Sequence, residues 1–281
     1  MKIAISVEST ADFSKELIEK YEIKIIPYHI VLDGADFIDG EKPIEEVFEY
    51  TDKYKVLPKT TAINTFEYEE YFNNLKKDYD AIVHITLSGE ITSASANAIN
   101  VAKEMENVYV IDSKSLSTGI ALLAIYAREL ANSGMDPKEI AEKVEERRDK
   151  LQVSFVLERL DYLYKGGRCN SLQLFGANLL KLRPHIVMKK GKMSSDKKYR
   201  GKMDAVVEKY CESVIEDFNT PDLSRVFITY TTATEEMLES ARKVCKKAGF
   251  NEILETRAGC TISSHCGAHT LGILYFNDGN K

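Results

Sequence analysis

The stretch that decides the fold is AIVHITLSG, Ala81 to Gly89, followed by an amphipathic segment and then VYVID, Val108 to Asp112. Two short runs, apolar on both faces and separated by a helical pattern, are how strands of a covered parallel sheet read. Working outward, Lys2 to Val7 and Ile23 to Leu32 read as two further strands, again with helical patterns between most of them. The first half is therefore expected to be α/β, a mostly parallel sheet flanked by helices. Asp136-Pro137-Lys138-Glu139 marks a helix start, with a capping carboxylate and a proline tolerated in the first turn, and Gly134 closes the helix before it.

Near Lys150 to Phe155 the helical pattern ends and a strand, Gln152 to Glu158, begins. This places a boundary between domains spanning 1–151 and 152–281. The second half is expected to hold a turn at Lys190-Gly191, a helix from Lys202 to Phe218 and a strand from Arg225 to Thr231. An amphipathic helix carrying Met237, Leu238, Ala241, Val244 and Cys245 follows, then strands near Ile253 and at Leu271 to Phe276.

With 281 residues, 44% of them hydrophobic, the chain has enough material for one large core or two smaller ones. Its 44 acidic against 38 basic residues leave a net charge of −6, which gives no general attraction to nucleic acid. The start, MKIAISVESTADF, runs directly into a strand, so no secretory signal is expected, and no apolar run is long enough to span a membrane. Five cysteines without a CxxC pair suit a reducing cytoplasm; Cys211 and Cys245 fall in apolar helical patterns as small core residues. The basic run Lys189, Lys190, Lys192, Lys197, Lys198, Arg200 and Lys202, broken by Asp196, reads either as a solvated hairpin or as a docking surface for an acidic partner.

Hydroxyl-bearing residues and glycine recur where strands end: Ser9-Thr10, Thr60-Thr61, Ser88-Gly89 before Thr92-Ser93, and Ser113 before Ser117-Thr118-Gly119. Ligands of open α/β sheets bind beyond such ends, where a hydroxyl and free N–H groups suit a carboxylate or phosphate, although the same residues also serve simply as helix caps. Neither GxxxxGK[ST] nor GxGxxG occurs. Ser264 to Thr270 packs two imidazoles and a thiol together, which permits three readings. They are a partial metal site, a nucleophilic Cys266 beside His265 or His269, or a histidine donating to an anionic head group. Gly166-Gly167 would end a short helix and present Arg168 on a loop, ahead of Leu179, Leu180, Leu182, Arg183 and Pro184.

Taken in order, the motifs resemble the DegV family of bacterial fatty-acid-binding proteins. They are Ser9-Thr10-Ala11-Asp12-Phe13, Leu57-Pro58-Lys59-Thr60-Thr61, Leu87-Ser88-Gly89 with Ser93-Ala94, and Val110-Ile111-Asp112-Ser113. Tyr162-Leu163 with Lys165-Gly166-Gly167-Arg168, and His265-Cys266-Gly267 with Thr270-Leu271-Gly272, complete the set. The resemblance implies a two-domain α/β protein, the second domain built on a mixed sheet, with one long-chain fatty acid enclosed between the domains. It implies no catalytic residue, cofactor or metal of its own. The protein would serve as the acyl-carrying subunit whose bound carboxylate a separate fatty-acid kinase subunit phosphorylates for phospholipid synthesis, with at most transient membrane contact. Thr60 and Ser88 would hydrogen-bond the carboxylate, Gly89 N–H and His265 would assist, and Arg168 would face the kinase subunit.

The chain departs from the family's usual pattern at Thr61-Ala62-Ile63, Glu90-Ile91-Thr92, Glu8 and Ala268-His269, and Glu90 beside an anion is unfavourable unless it points away. About 15 buried methylene or methyl groups at ~0.8 kcal/mol each would let the tail supply affinity while hydroxyls fix orientation. From a different class, a cysteine-dependent hydrolase or acyltransferase using Cys266 with His265 or His269 is the alternative, and a binding module for another amphipathic anion is a third reading.

Overall fold

In the computed structural model, residues 1–169 and 182–279 are described; Leu179 and Leu180 lie outside them. From the N-terminus, β1 (Ile3–Glu8) leads through a 3₁₀ turn (Ser9–Ala11) and α1 (Lys15–Lys20) to β2 (Ile23–Ile26), β3 (His29–Leu32) and β4 (Ala35–Ile38). Next come α2 (Ile44–Tyr54), β5 (Lys59–Thr61), α3 (Thr65–Leu75), β6 (Ala81–Thr86), α4 (Ala94–Ala102), β7 (Val108–Asp112), α5 (Thr118–Asn132) and α6 (Pro137–Arg148). The second half runs β8 (Leu151–Val156), α7 (Asp161–Gly166), β9 (Arg183–Lys189), β10 (Lys192–Tyr199), α8 (Met203–Asp217) and β11 (Arg225–Tyr230). It ends with α9 (Glu235–Ala248), β12 (Glu252–Arg257), α10 (Cys260–Cys266) and β13 (Leu271–Phe276).

The α/β expectation holds. β2-β1-β6-β7 form an all-parallel sheet, and β10-β9-β8-β13-β11-β12 form a mixed one in which only β11 and β12 run parallel. The chain passes from the first sheet to the second after α6, at Leu151. One expected strand is two: Ile23 to Leu32 breaks at Pro27, which has no N–H to continue the ladder. β2 stays beside β1, whereas β3 turns away to pair antiparallel with β4 and β5 in a small third sheet. That sheet, unforeseen from the sequence, carries Thr60 opposite Ile30.

Between the two large sheets lies α5, buried at Gly119, Ile120, Ala121, Leu122, Leu123, Ala124 and Ile125 and packed on strands of both. A helix apolar on every side is stable only when covered on every side. Gly119 permits the approach, since a Cβ there would sit 2.9 Å from Val153 Cγ2. The resulting core joins Val7 and Ile85 of the first sheet to Phe155 and Leu274 of the second. A separate core lies on the opposite face of the mixed sheet, where α8 and α9 cover Ile228, Ile273 and Tyr275.

Local signals behave as their chemistry demands. Asp136 caps α6 by accepting from Lys138 N at 2.9 Å with Pro137 in the first turn, and Gly134 follows α5 with φ 85°. The basic run is a hairpin whose turn has positive φ at both Lys190 (50°) and Gly191 (81°), as a type I′ turn requires. Among the described residues, no helix is long and apolar enough to cross a membrane.

Candidate ligand site between the sheets

His265 and Thr60, 205 positions apart, meet with Nε2 and Oγ1 at 2.9 Å. Thr60 comes from the small sheet and His265 from the last turn of α10, so the contact depends on how α10 is anchored. The first-half motif Ser9-Thr10-Ala11-Asp12 does much of that. Asp12 accepts from Gly259 N at 2.8 Å and from Ser117 Oγ at 2.5 Å. Asp39 accepts from Cys260 N at 2.7 Å, Thr261 N at 3.3 Å and Ser9 Oγ at 3.0 Å. Carboxylates at the start of a helix satisfy its free N–H groups and complement its dipole. Burial raises the Asp12 carboxyl well above its ordinary range, and the Asp39 charge adds to the rise.

On the other side, the His265 ring lies against Gly166, where a Cβ would come within 2.5 Å of Nδ1. Gly166 thus makes room for the imidazole, while Gly167 supplies the left-handed conformation (φ 69°) that ends α7. The Nδ1 atom is buried without a hydrogen-bond partner. Burial, reinforced by the Arg168 guanidinium, pushes the imidazole down to about 4, so it is neutral at physiological pH.

Thr60 and His265 border a cavity of about 120 Å³ whose wall also includes Tyr28, Leu87, Ile91 and Leu163. A smaller chamber of about 30 Å³ adjoins it, walled by Phe155, Gly272 and Leu274. Behind Leu87, the buried Glu8 carboxylate accepts from Leu87 N at 2.7 Å, from Thr10 Oγ1 at 3.3 Å and from the Tyr68 hydroxyl. Desolvation raises it to about 7 against those hydrogen bonds, with Asp112 adding a little.

Ser88 and Gly89 differ from expectation. Neither is in the cavity wall among the described residues. Ser88 Oγ is buried and donates to Gly191 O at 2.8 Å, and Gly89 N–H donates to Asp112 Oδ1 at 3.2 Å. Ser88 is committed because the β9–β10 turn lies on this loop, where a Cβ on Gly191 would be 2.7 Å from Ser88 Oγ, and Gly89 because Asp112 ends the neighbouring strand β7. Ser93, part of the same motif but not among the expected ligand-binding residues, is exposed and in the cavity wall. It begins α4 without making a side-chain cap, so the capping role normally assigned to such a serine does not absorb its hydroxyl. Neighbouring Thr92 pairs with Tyr28 Oη at 3.1 Å.

Arg168 is exposed, donates to Gly166 O at 2.6 Å and forms part of the cavity rim. Glu90 turns to Lys192 at 3.1 Å and is not in the wall, which removes the expected conflict with an anion; Ala62 is in the wall.

The alternative based on a nucleophilic thiol meets a physical obstacle. Burial pushes the Cys266 thiol up to about 12, the opposite of an activated thiolate. Its two candidate bases are engaged elsewhere, His265 with Thr60 and His269 with Glu158. Among the described residues no group of three or more His, Cys, Asp or Glu is arranged to hold a metal ion.

Known proteins share this fold over nearly the whole chain. The model of the DegV family of uncharacterised proteins matches residues 2–278. A fatty acid-binding protein of Thermotoga maritima is 30% identical, with 97% of this chain and 96% of that protein aligned. The structure of DegV, a fatty acid binding protein from Bacillus subtilis, is 26% identical and superposes with a TM-score of 0.84 over 98% of this chain and 99% of that one. A DegV family protein from Thermus thermophilus, whose structure concerns fatty acid binding, shares the fold at 23% identity, with a TM-score of 0.88 over 98% of this chain and 99% of that one. With a family match along almost its whole length and relatives aligned over nearly all of it, this chain belongs to the DegV family.

Proposed function

We propose that this protein binds one long-chain fatty acid with its tail in the cavity and its carboxylate at the Thr60–His265 end, and presents that carboxylate to a separate kinase subunit. The observation that carries the reading is the Thr60–His265 pair, 2.9 Å apart, at a cavity otherwise walled largely by apolar side chains. The fatty acid-binding relatives support the ligand class.

The neutral imidazole suits this role. With its proton on Nε2, His265 donates to Thr60 Oγ1, which frees the threonine hydroxyl hydrogen for a carboxylate oxygen. The buried Nδ1 then carries a lone pair, which is easier to leave unpartnered than an N–H. Ser93 supplies a second hydroxyl in the cavity wall. Ser88 and Gly89 hold the adjoining loop to the β9–β10 turn and to Asp112.

A carboxylate held by hydroxyls keeps its charge and its nucleophilicity. On the kinase subunit, one carboxylate oxygen would attack the γ-phosphorus of ATP, giving an acyl phosphate and ADP. Exposed Arg168 at the rim would face that subunit.

Native mass spectrometry of the purified protein, followed by extraction, tests the ligand. A mass increment that denatures away as a long-chain fatty acid is expected, and a protein that remains empty when offered such acids overturns the reading. The second step is tested by adding a fatty-acid kinase ATP-binding subunit with ATP and trapping acyl phosphate with hydroxylamine. No acyl hydroxamate from a loaded protein would leave a carrier without the kinase role.

A further inference from the structure

A separate cleft, of about 450 Å³, shares no wall residue with the cavity at Thr60 or its smaller neighbour. Three cations from three segments line it: Lys114 from the loop after β7, Arg148 from the end of α6 and Lys190 from the β9–β10 turn. Lys114 and Lys190 are exposed, and no ion pair among the described residues engages either. The carboxylate in the wall is Asp149, and Glu145 offsets part of the Arg148 charge at 3.2 Å from Nη1. The cleft keeps a positive balance in a chain whose net charge is −6.

Two polar groups of this wall are buried without a partner, and both suit an anion. Arg148 makes its hydrogen bonds through Nη1, to Asp112 O at 2.8 Å and to Glu145, which leaves its Nε/Nη2 edge; Nε is buried and unpartnered. That edge carries two parallel N–H groups, a fork matched to two oxygens of a phosphate. Ser115 is 2% exposed, and its Oγ has no partner although its N–H donates to Ser113 Oγ and its carbonyl accepts from Ser88 N. Buried donors without acceptors are costly, and a bound anion supplies acceptors to both.

We propose that this cleft is a phosphate-binding site, in which the Nε/Nη2 edge of Arg148 and the Ser115 hydroxyl bond phosphate oxygens while Lys114 and Lys190 supply charge. The inference stands apart from the fatty-acid reading. Cations reaching in from three segments surround a tetrahedral dianion better than a planar monoanion such as a carboxylate. Leu151, Val153 and Met188 continue the wall, so the same site takes the phosphate either as the free ion or as an ester whose organic part lies on those apolar side chains.

Isothermal titration calorimetry of the whole protein at about pH 8, in a phosphate-free buffer with chloride holding the ionic strength constant, compares inorganic phosphate, phenyl phosphate and acetate. Phosphate should saturate a single site, with acetate at least about tenfold weaker. Phenyl phosphate binding more tightly than inorganic phosphate assigns the site to an ester, and the reverse order assigns it to the free ion. The double variant Lys114→Asn/Lys190→Asn removes two charges and places asparagine, which tolerates the left-handed backbone found there (φ 48° and 50°). It should weaken phosphate about tenfold. Ser115→Ala deletes a hydroxyl that makes no hydrogen bond in the free protein, so Tm should hold or rise while phosphate affinity falls about tenfold, a combination that a merely structural serine would not give. Phosphate that binds no better than acetate, or that binds either variant as tightly as the wild type, overturns the site.

Discussion

Replacing Thr60 by valine keeps the shape of the side chain and removes one hydroxyl. In the free protein it deletes the 2.9 Å contact with His265 Nε2, and because Nδ1 is already unpartnered, the half-buried ring is left with no partner from Thr60 at either nitrogen. A lost hydrogen bond of this kind costs ~1 kcal/mol, rising to about 1–3 kcal/mol where the orphaned group stays out of water. In the complex the loss is larger, because a hydroxyl facing a carboxylate makes a charge-assisted bond of about 1.5–3 kcal/mol, or roughly 10- to 150-fold in affinity. The assay is competition against a fluorescent fatty acid, run with a long-chain acid and with its methyl ester, which keeps the tail and abolishes the charge. Thr60→Val should weaken the acid by that factor and the ester only slightly, so the acid-to-ester preference collapses, while Thr60→Ser should preserve it. An unchanged preference in a folded Thr60→Val protein would show that the carboxylate lies elsewhere and refute the reasoning.

Ser88→Ala removes the bond to Gly191 O and should cost ~1 kcal/mol of stability while leaving acid affinity within about twofold, measured by thermal melting and the same competition. A loss as large as that of Thr60→Val would return Ser88 to the carboxylate. Stability should vary with pH in two opposing ways. His84 (down to about 3), His185 and His265 (each down to about 4) are held neutral by burial, so their contribution is complete above 6.5 and is lost as pH falls through those values. Glu8, raised to about 7, contributes fully below 4.5 and loses its contribution as pH rises through 7. Urea unfolding should therefore show greatest stability near pH 6.5, and Glu8→Gln should flatten the decline above it; parallel wild-type and variant profiles would contradict the Glu8 assignment. Gly267→Ala puts a Cβ on a residue with φ 75° and 2.8 Å from Tyr162 Cδ2, and should destabilise by about 2 kcal/mol or more, lowering Tm by several degrees. An unshifted Tm would mean that the ring and backbone relax without cost.

Much of this architecture is legible because it is local. The parallel strands at Ile3–Glu8, Ala81–Thr86 and Val108–Asp112 announce themselves through continuous apolar runs, and Leu271–Phe276 was delimited to the residue. Pro27 could have warned that Ile23 to Leu32 is not one strand, since a residue without an N–H seldom sits inside a ladder. The third sheet gave little warning: Lys59–Thr61 is three residues long, and its pairing with His29–Val31 is fixed by partners some thirty positions away. Thr60 and His265 were picked out by motif. Ser93 and Ser88 stand together in the motif, but a hydroxyl at a helix start looks the same in a sequence whether it caps the helix or faces a cavity, so the order of residues does not say which of the two lines the wall.

The amino-acid order by itself determined the periodicities, the turns that need positive φ, the caps and the motifs that mark the family. Those are properties of neighbouring residues, and short-range sterics and hydrogen bonding set them. Only the tertiary structure decided which donors remain for a ligand. It commits Ser88 to Gly191 and Gly89 to Asp112, couples Thr60 to His265 across 205 positions, and sets Cys266 in the wall shared by two chambers. The physical reason is that a hydrogen bond or a cavity wall belongs to atoms close in space, and each donor hydrogen serves whichever acceptor the fold brings to it.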